Sequence, residues 1–315
     1  MSKHEIPVIE IKLEPHTNSD SLSLVRIDGY TVVVKTSEWK NGDLAIHIPP
    51  DYVVKNDEHF AFLNGNTRIK SRKFRGIYSE GLLIKALPDM KVGDCAMERL
   101  GIIRYEPPME LSSGGENEGG PSLIVPVYDM ENYKKYNYII TLNDKVSISE
   151  KIHGCNSRFV FHKGRMWCGS HRNWKKQSDK NLWWKALFLN SWLEAWCIHH
   201  EDYILFSETY GQVQDLKYGL GKNELKVAVF DIMYNGKWVD HNEFKKLKIG
   251  LDCVPLLYEG LFDEKLAKDL AEGDSSIPGA NHLREGVVIK TQEEKFHPKI
   301  GRTILKLVSS RYLSS

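Results

Sequence analysis

The chain has 315 residues, 41% of them hydrophobic and 27% charged, with a net charge of +1. That length allows two domains with separate cores, and the composition is globular rather than disordered or fibrous. A total charge this small does not announce a nucleic-acid partner, so any such contact must rest on a local patch.

The five cysteines, Cys95, Cys155, Cys168, Cys197 and Cys253, form no C-x-x-C pair. This argues against a structural zinc or a disulfide framework and fits a reducing compartment. The longest apolar run, Ala186 to Ile198, is interrupted by Asn190 and Glu194 and is too short to span a bilayer. The first residues lack the apolar core of a signal peptide. The expectation is a cytoplasmic monomer with no membrane partner.

Residues 1–104 read as short strands. Leu24 to Lys35 predicts a hairpin around Asp28-Gly29, and Leu44–Ile48 and Gly81–Lys85 continue the pattern. Such spacing suggests a small barrel or sandwich. Residues 105–123, rich in Pro, Gly, Ser and acids, read as a linker. From 124 to 315, strands and helices mix. Strands are predicted at 146–149, 158–162, 203–206 and 226–233, the last turning at Asn235-Gly236. Leu182 to His199 reads as one core-facing helix whose tryptophans Trp183, Trp192 and Trp196 pack rather than hold a ligand. Asp263 to Gly273 reads as a second helix. No internal repeat is present.

Lys151-Ile152-His153-Gly154 follows the strand at 146–149. A lone K-x-x-G is weak evidence, since Lys73-Phe74-Arg75-Gly76 has the same form. Context separates them. After Lys151 come Phe206-Ser-Glu-Thr-Tyr-Gly211, Val227-Ala-Val-Phe-Asp-Ile232, Glu285-Gly-Val-Val-Ile-Lys290 and Ile304-Leu-Lys-Leu-Val308. Each is an apolar strand carrying charge. Burying an unpaired charge costs several kcal/mol, so such strands usually aim it into a cleft.

These five segments resemble motifs I, III, IIIa, IV and V of the covalent nucleotidyltransferases, the superfamily of ATP-dependent ligases and capping enzymes. The match is closest to RNA ligases, which carry K-x-H-G. Ser147 to Gly154, and Ile69 to Leu83 in the N-terminal part, resemble the Deinococcus-type RNA ligases with an N-terminal OB domain. The fold class implied is α+β. An ATP-grasp-like or ligase nucleotidyltransferase domain of antiparallel sheets with flanking helices (124–315) follows an OB-like β-barrel that binds nucleic acid (1–104).

The resemblance implies ATP and Mg²⁺ or Mn²⁺ as cofactors and Lys151 as the nucleophile that takes AMP. A lysine must be neutral to attack phosphorus, and the ordinary value of about 10.4 leaves few molecules so at neutral pH. Neighbouring cations favour the neutral amine, and Lys290 and Lys306 are the expected ones. They would also offset charge on the transferring phosphoryl group. Glu285 is the candidate to bind or orient a metal and place the lysine. Glu208 is assigned to the ribose hydroxyls and Phe230 to the adenine face. His153, Gly154, Asn156 and Arg172 are expected near phosphate or nucleophile.

Two departures stand out. Motif V is often K-x-K, but here Ile304 precedes Lys306, so one lysine suffices or Arg302 substitutes. Cys155 stands where relatives often carry Thr, and it reads as a small residue rather than a catalyst.

The chain ends nine residues after Lys306. By resemblance this argues against DNA ligases and capping enzymes, which carry a C-terminal OB domain. Arg68, Lys70 and Arg72 alternate, which would place three cations on one strand face for a nucleic-acid backbone. A charged edge strand that prevents aggregation is the other reading. The expected reaction is ATP-dependent RNA ligation of 3′-OH/5′-phosphate breaks, at nicks in RNA or RNA-containing duplexes. The alternatives are a DNA ligase or guanylyltransferase, and a non-catalytic RNA-binding protein.

Overall fold

The computed structural model describes residues 5–105 and 116–314. Most of the expected linker, 106–115, lies outside the described residues. The chain forms two compact units, one of Met1–Glu106, Glu131–Tyr138 and Val308–Ser315, the other of Pro107–Met130 and Ile139–Leu307. No described helix is long and apolar enough to cross a membrane.

The first unit is almost wholly β. Val8–Glu10, Leu44–Ile48 and Leu82–Lys85 form one antiparallel sheet, and Leu13–His16, Ser19–Ile27 and Tyr30–Lys35 form another. The expected turn at Asp28-Gly29 is present, with Asp28 at φ 51°. A Cβ on Gly29 would lie 2.7 Å from the Lys134 backbone, so only glycine fits there. Ile46, Ile48, Phe60 and Leu100 fill one core, and Val25, Val32 and Trp39 a smaller one.

The second K-x-x-G proves to be the turn of a hairpin. Ser71–Phe74 pairs with Ile77–Glu80, and Arg75 and Gly76 both have positive φ. This is the backbone of a type I′ turn, which matches the strand twist. The hairpin is anchored by side chains: Val33 N donates to Ser79 Oγ at 3.0 Å and Thr31 N to Glu80 Oε2 at 3.2 Å.

This corrects the expected cationic strand face. The strand begins only at Ser71, so Arg68, Lys70 and Arg72 do not share one strand. Arg68 instead pairs with Asp51 at 2.8 Å and lies 3.7 Å over the Tyr105 ring. Its charge is used inside the fold. Lys70 and Arg72 are exposed.

In the second unit, a seven-stranded antiparallel sheet runs in the order Asn117–Glu118, Trp174–Lys175, Arg165–Gly169, Cys155–His162, Ile204–Gly211, Leu225–Tyr234, Lys237–Trp238. Its strands alternate between two cores. Phe159 and Leu205 face Trp183, Trp184, Leu187, Leu193 and Trp196, whereas Val160 and Phe206 face Tyr128 and Ile304. The second core joins this sheet to another, in which Ile304–Val308, Gly286–Thr291, Lys145–Lys151 and Leu256–Leu261 lie side by side.

The expected tryptophan helix is two helices, Leu182–Leu189 and Ser191–His199. Asn190 leaves helical geometry at φ −121°, ψ 78°. Its Nδ2 donates to Ala186 O at 2.7 Å and Leu225 O at 3.2 Å, bonds that an unbroken helix would not provide. The tryptophans pack as expected. Trp183 Nε1 donates to Asn156 O at 3.0 Å and Trp196 Nε1 to Leu247 O at 3.2 Å. Asp263 caps the helix Glu264–Ala271 by accepting from Leu266 N at 2.8 Å. A further helix, His241–Leu247, was not expected. It is started by Asp240, which accepts from Glu243 N at 2.9 Å.

Candidate active site

The site begins with the alternation of Lys145–Lys151. Val146, Ile148 and Glu150 are buried, so Ser147, Ser149 and Lys151 share the other face. Across the ladder stand Lys290 opposite Ser147, Val288 opposite Ser149 and Gly286 opposite Lys151. Paired residues lie on the same side of a sheet, so these side chains form a continuous floor. Glu150, pointing away, accepts from Ser275 Oγ at 2.5 Å and Ser276 N at 2.7 Å and anchors the strand from behind.

Lys151 closes the strand, and its Nζ donates to Glu285 Oε2 at 2.7 Å. His153 Nδ1 lies 3.4 Å from the same oxygen, and His153 N donates to Tyr218 Oη at 2.6 Å. Burial alone would raise the Glu285 carboxyl, but the Lys151 charge and the His153 contact outweigh it and hold it at about 2. Glu285 is thus a carboxylate throughout the neutral range.

Glu208 comes from the facing sheet and behaves oppositely. Burial, reinforced by the Glu285 charge, pushes it up to about 8 against the opposing pull of Lys151 and the Gly154 N–H. Gly154 N donates to Glu208 Oε1 at 3.1 Å. A Cβ on Gly154 would sit 2.3 Å from Thr209 O, so the chain can pass this close to the Glu208 strand only with glycine. Asn156 stands directly opposite Glu208 in the ladder, and its Oδ1 is buried with no hydrogen-bond partner among the described residues.

Phe230 owes its direction to a bulge. Phe206 pairs with Asp231 and Ser207 with Val229, leaving Phe230 as the extra residue. Both bulge residues then serve the same cleft. Phe230 lines it, while Asp231 accepts from Lys290 Nζ at 2.8 Å, Tyr128 Oη at 2.9 Å and Arg302 Nη1 at 2.5 Å. Asp231 is fully buried, which alone would raise its carboxyl, but Lys290 and Arg302 keep it lowered.

Lys151, Glu208, Phe230 and Lys290 therefore line one pocket, together with Tyr128, Val288 and Phe244. Glu285, His153 and Gly154 attach to that set through the bonds above. Lys306 shares a strand face with Ile304, which packs with Tyr128 and Val288 in the core between the sheets. Arg172 is exposed, on the turn closed by Ser170 N donating to Asn173 O at 2.8 Å, and does not line the pocket.

Two expectations change. Lys290 is not beside Lys151. It faces Ser147, four residues along the strand. At about 3.3 Å per residue that sets their backbone positions roughly 13 Å apart along the strand, although both side chains line the pocket. The neighbours of Lys290 are Asp231 and, at 3.5 Å, Glu294. Arg302 does not substitute for a motif V lysine either, because Asp231 and Glu294 hold it 3.9 Å over the Trp238 ring.

The Cys155 thiol is pushed up to about 12 by burial and the Glu208 charge, which suits a packing role. Among the described residues no three metal-ligating side chains cluster. That donor set fits a cation carried in by phosphates, with at most one or two protein carboxylates, and not a closed metal cage.

Tyr128, Asp231, Ser147, Ser149 and Phe244 escaped the sequence reading. The serines were legible from the strand's alternation with Lys151, and the helix bearing Phe244 from its Asp240-x-x-Glu243 cap. Asp231 was the charge on the Val227–Ile232 strand, though its partners could not be read there, and Tyr128 carried no local signal.

Two antiparallel sheets flanking a strand-end lysine, in a chain that also contains a small β-sheet unit, fit a nucleotidyltransferase of the ligase class. The RNA ligase family model matches residues 144–308, more than half of the chain, and an OB-fold domain model matches residues 7–86. The chain belongs to the RNA ligase family.

Solved structures of the Naegleria gruberi RNA ligase share the whole fold. A variant of that enzyme with ATP and manganese is 23% identical, with a TM-score of 0.79 over 99% of this chain and 98% of that one. The enzyme with pyrophosphate is 24% identical, with a TM-score of 0.78 over 98% of each. No curated protein sequence matches the chain.

Proposed function

We propose that the protein is an ATP-dependent RNA ligase that seals 3′-OH/5′-phosphate breaks, principally nicks in RNA-containing duplexes. The observation that carries this is Lys151, placed at a strand end on the floor of a pocket and held by Glu285 at 2.7 Å.

Lys151 Nζ attacks the α-phosphorus of ATP. A P–N bond forms and the bond to pyrophosphate breaks. The 5′-phosphate of the broken strand then displaces the lysine and takes AMP. Finally the neighbouring 3′-OH attacks that activated phosphate, a phosphodiester forms and AMP leaves.

Glu285 positions the amine. As a fixed carboxylate it can also face a metal borne by the triphosphate. Mg²⁺ or Mn²⁺ bound with the nucleotide would neutralise charge on the leaving pyrophosphate. The Naegleria structures with ATP and manganese support this pairing of nucleotide and cation.

Adenine would lie between Phe230 and Val288, which face the cleft from opposite sheets. Glu208 meets the ribose, and its high proton affinity lets it donate as well as accept. Lys306 is the cation assigned to phosphate, with His153 and Asn156 around the nucleophile and Arg172, outside the pocket, left to the 5′-phosphate of the strand. Lys290 instead fixes the far end of the pocket through Asp231.

The test is denaturing electrophoresis after incubation with α-labelled ATP and Mg²⁺. Label should stay on the polypeptide, labelling from GTP should be absent, and Lys151→Ala should abolish it. Unchanged labelling of Lys151→Ala would sink the proposal. Nicks with a 3′-ribose should seal faster than those with a 3′-deoxyribose. The reverse order would make the protein a DNA ligase.

A further inference from the structure

Within the first unit, Arg26 is neutralised by Glu14, Arg68 by Asp51 and Arg99 by Asp89. The hairpin turning at Arg75-Gly76 departs from this. Lys70, Arg72, Lys73 and Arg75 fall between Ile69 and Ser79 with no acid among them. Arg72, Lys73 and Arg75 are exposed and make no ion pair with any described residue. Phe74, in their midst, is 40% exposed although it is aromatic.

The tip is also tied back to the turn bearing His16 and Asn18. Asn18 Nδ2 donates to Arg75 O at 3.3 Å, and a His16 ring nitrogen lies 3.4 Å from Phe74 O. Lys73 Nζ stands 5.2 Å over the ring of its cross-strand partner Tyr78. A charged, aromatic surface that is already ordered loses little conformational freedom on binding. Closely spaced cations interleaved with an exposed ring suit a phosphate chain with bases to stack, the combination that grips nucleic-acid strands.

We propose that this hairpin tip is an RNA-strand contact, in which Arg72, Lys73 and Arg75 meet phosphates and Phe74 stacks on a base. The proposal rests on the ligase reading above. It keeps Arg72, drops Arg68, and adds Lys73 and Arg75, which alternation along a strand did not single out.

The experiment titrates the full-length protein against a labelled nicked RNA duplex between low and physiological salt. Replacing Arg72, Lys73 and Arg75 together by Ala should flatten the plot of log affinity against log salt by about 2 to 3, one increment of roughly 0.7–0.9 per lost phosphate contact. Phe74→Ala should weaken binding about tenfold with the slope unchanged. Both variants should still take AMP from ATP at the wild-type rate, which reports an intact fold. Wild-type affinity and slope in both variants would overturn the hairpin assignment. Failure of the wild-type protein to take AMP would overturn the ligase reading instead, and salt-dependent loss of binding in the variants would still support the hairpin.

Discussion

Glu208 and Glu285 lie in one site yet hold their protons very differently. Glu285 gains more from Lys151 and His153 than it loses by burial, whereas Glu208 is dominated by burial and by Glu285 itself. This has a consequence for stability. An unfolded glutamate titrates near 4.3, so between there and about 8 the native Glu208 holds a proton that the unfolded chain releases. The folded state is therefore favoured at the low end of that window and progressively disfavoured as pH rises through about 8. Glu208→Gln should leave the melting temperature almost unchanged near pH 5 and raise it relative to wild type at pH 9. Calorimetric scans at the two pH values check this, and an equal shift at both would show that Glu208 is ionised in the native state at neutral pH.

At the scale of elements, the bulge at Phe230 matters most. A regular strand alternates, so Phe230 and Asp231 would face opposite sides. The bulge lets one line the pocket while the other holds Lys290, Arg302 and Tyr128. Asp231→Asn removes the charge that two buried cations share. Breaking a buried pair on one side costs about 3–5 kcal/mol, so chemical denaturation should show a loss of that order, with weaker ATP binding. A loss below about 1 kcal/mol would mean that Glu294 alone satisfies both cations.

The helix His241–Leu247 offers a milder lever. Asp240→Ala deletes its cap, which should lower stability by about 1 kcal/mol. Because Phe244 lines the pocket, the apparent KM for ATP should rise while the maximal rate of lysine adenylylation stays near wild type. A rate loss with unchanged KM would place the helix outside the nucleotide site.

For the whole molecule, each unit has its own core and its own buried ionic knot. In the first, Lys134 is ion-paired to Glu80, with both side chains about nine-tenths buried, and Ser310 donates to the same carboxylate. In the second, Asp231 plays that part. Nucleotide binding bears on the second. In Lys151→Ala, which lacks the nucleophile, ATP at about one hundred times its Kd should add about 2.7 kcal/mol to the stability of the nucleotide-binding unit. Thermal scans with and without ATP measure this, and an absence of any shift would place the nucleotide elsewhere.

What the sequence alone determined is what local pattern can carry. The hairpins at Asp28-Gly29 and Asn235-Gly236 follow from residues that tolerate positive φ, and the strands around Lys151, Glu208 and Phe230 follow from apolar runs. The order of the charged strands pointed to the RNA ligase family, because chemistry needs those groups in one cleft whatever joins them. Only the tertiary structure decided which charges remain available. Arg68 and Arg302 look like free cations in the sequence, but partners 17 and 71 residues away, Asp51 and Asp231, claim them. Lys290 looks like a neighbour of Lys151 until ladder register sets it opposite Ser147. Asn190 broke a helix that its periodicity had promised because a carbonyl 35 residues away, on Leu225, offered it a bond. Local backbone preference is written residue by residue, whereas register, bulges and ion pairing depend on which distant strands meet. That is why Lys151 and Glu285 could be read from the order of the strands, whereas the partners of Arg68, Lys290 and Arg302 could not.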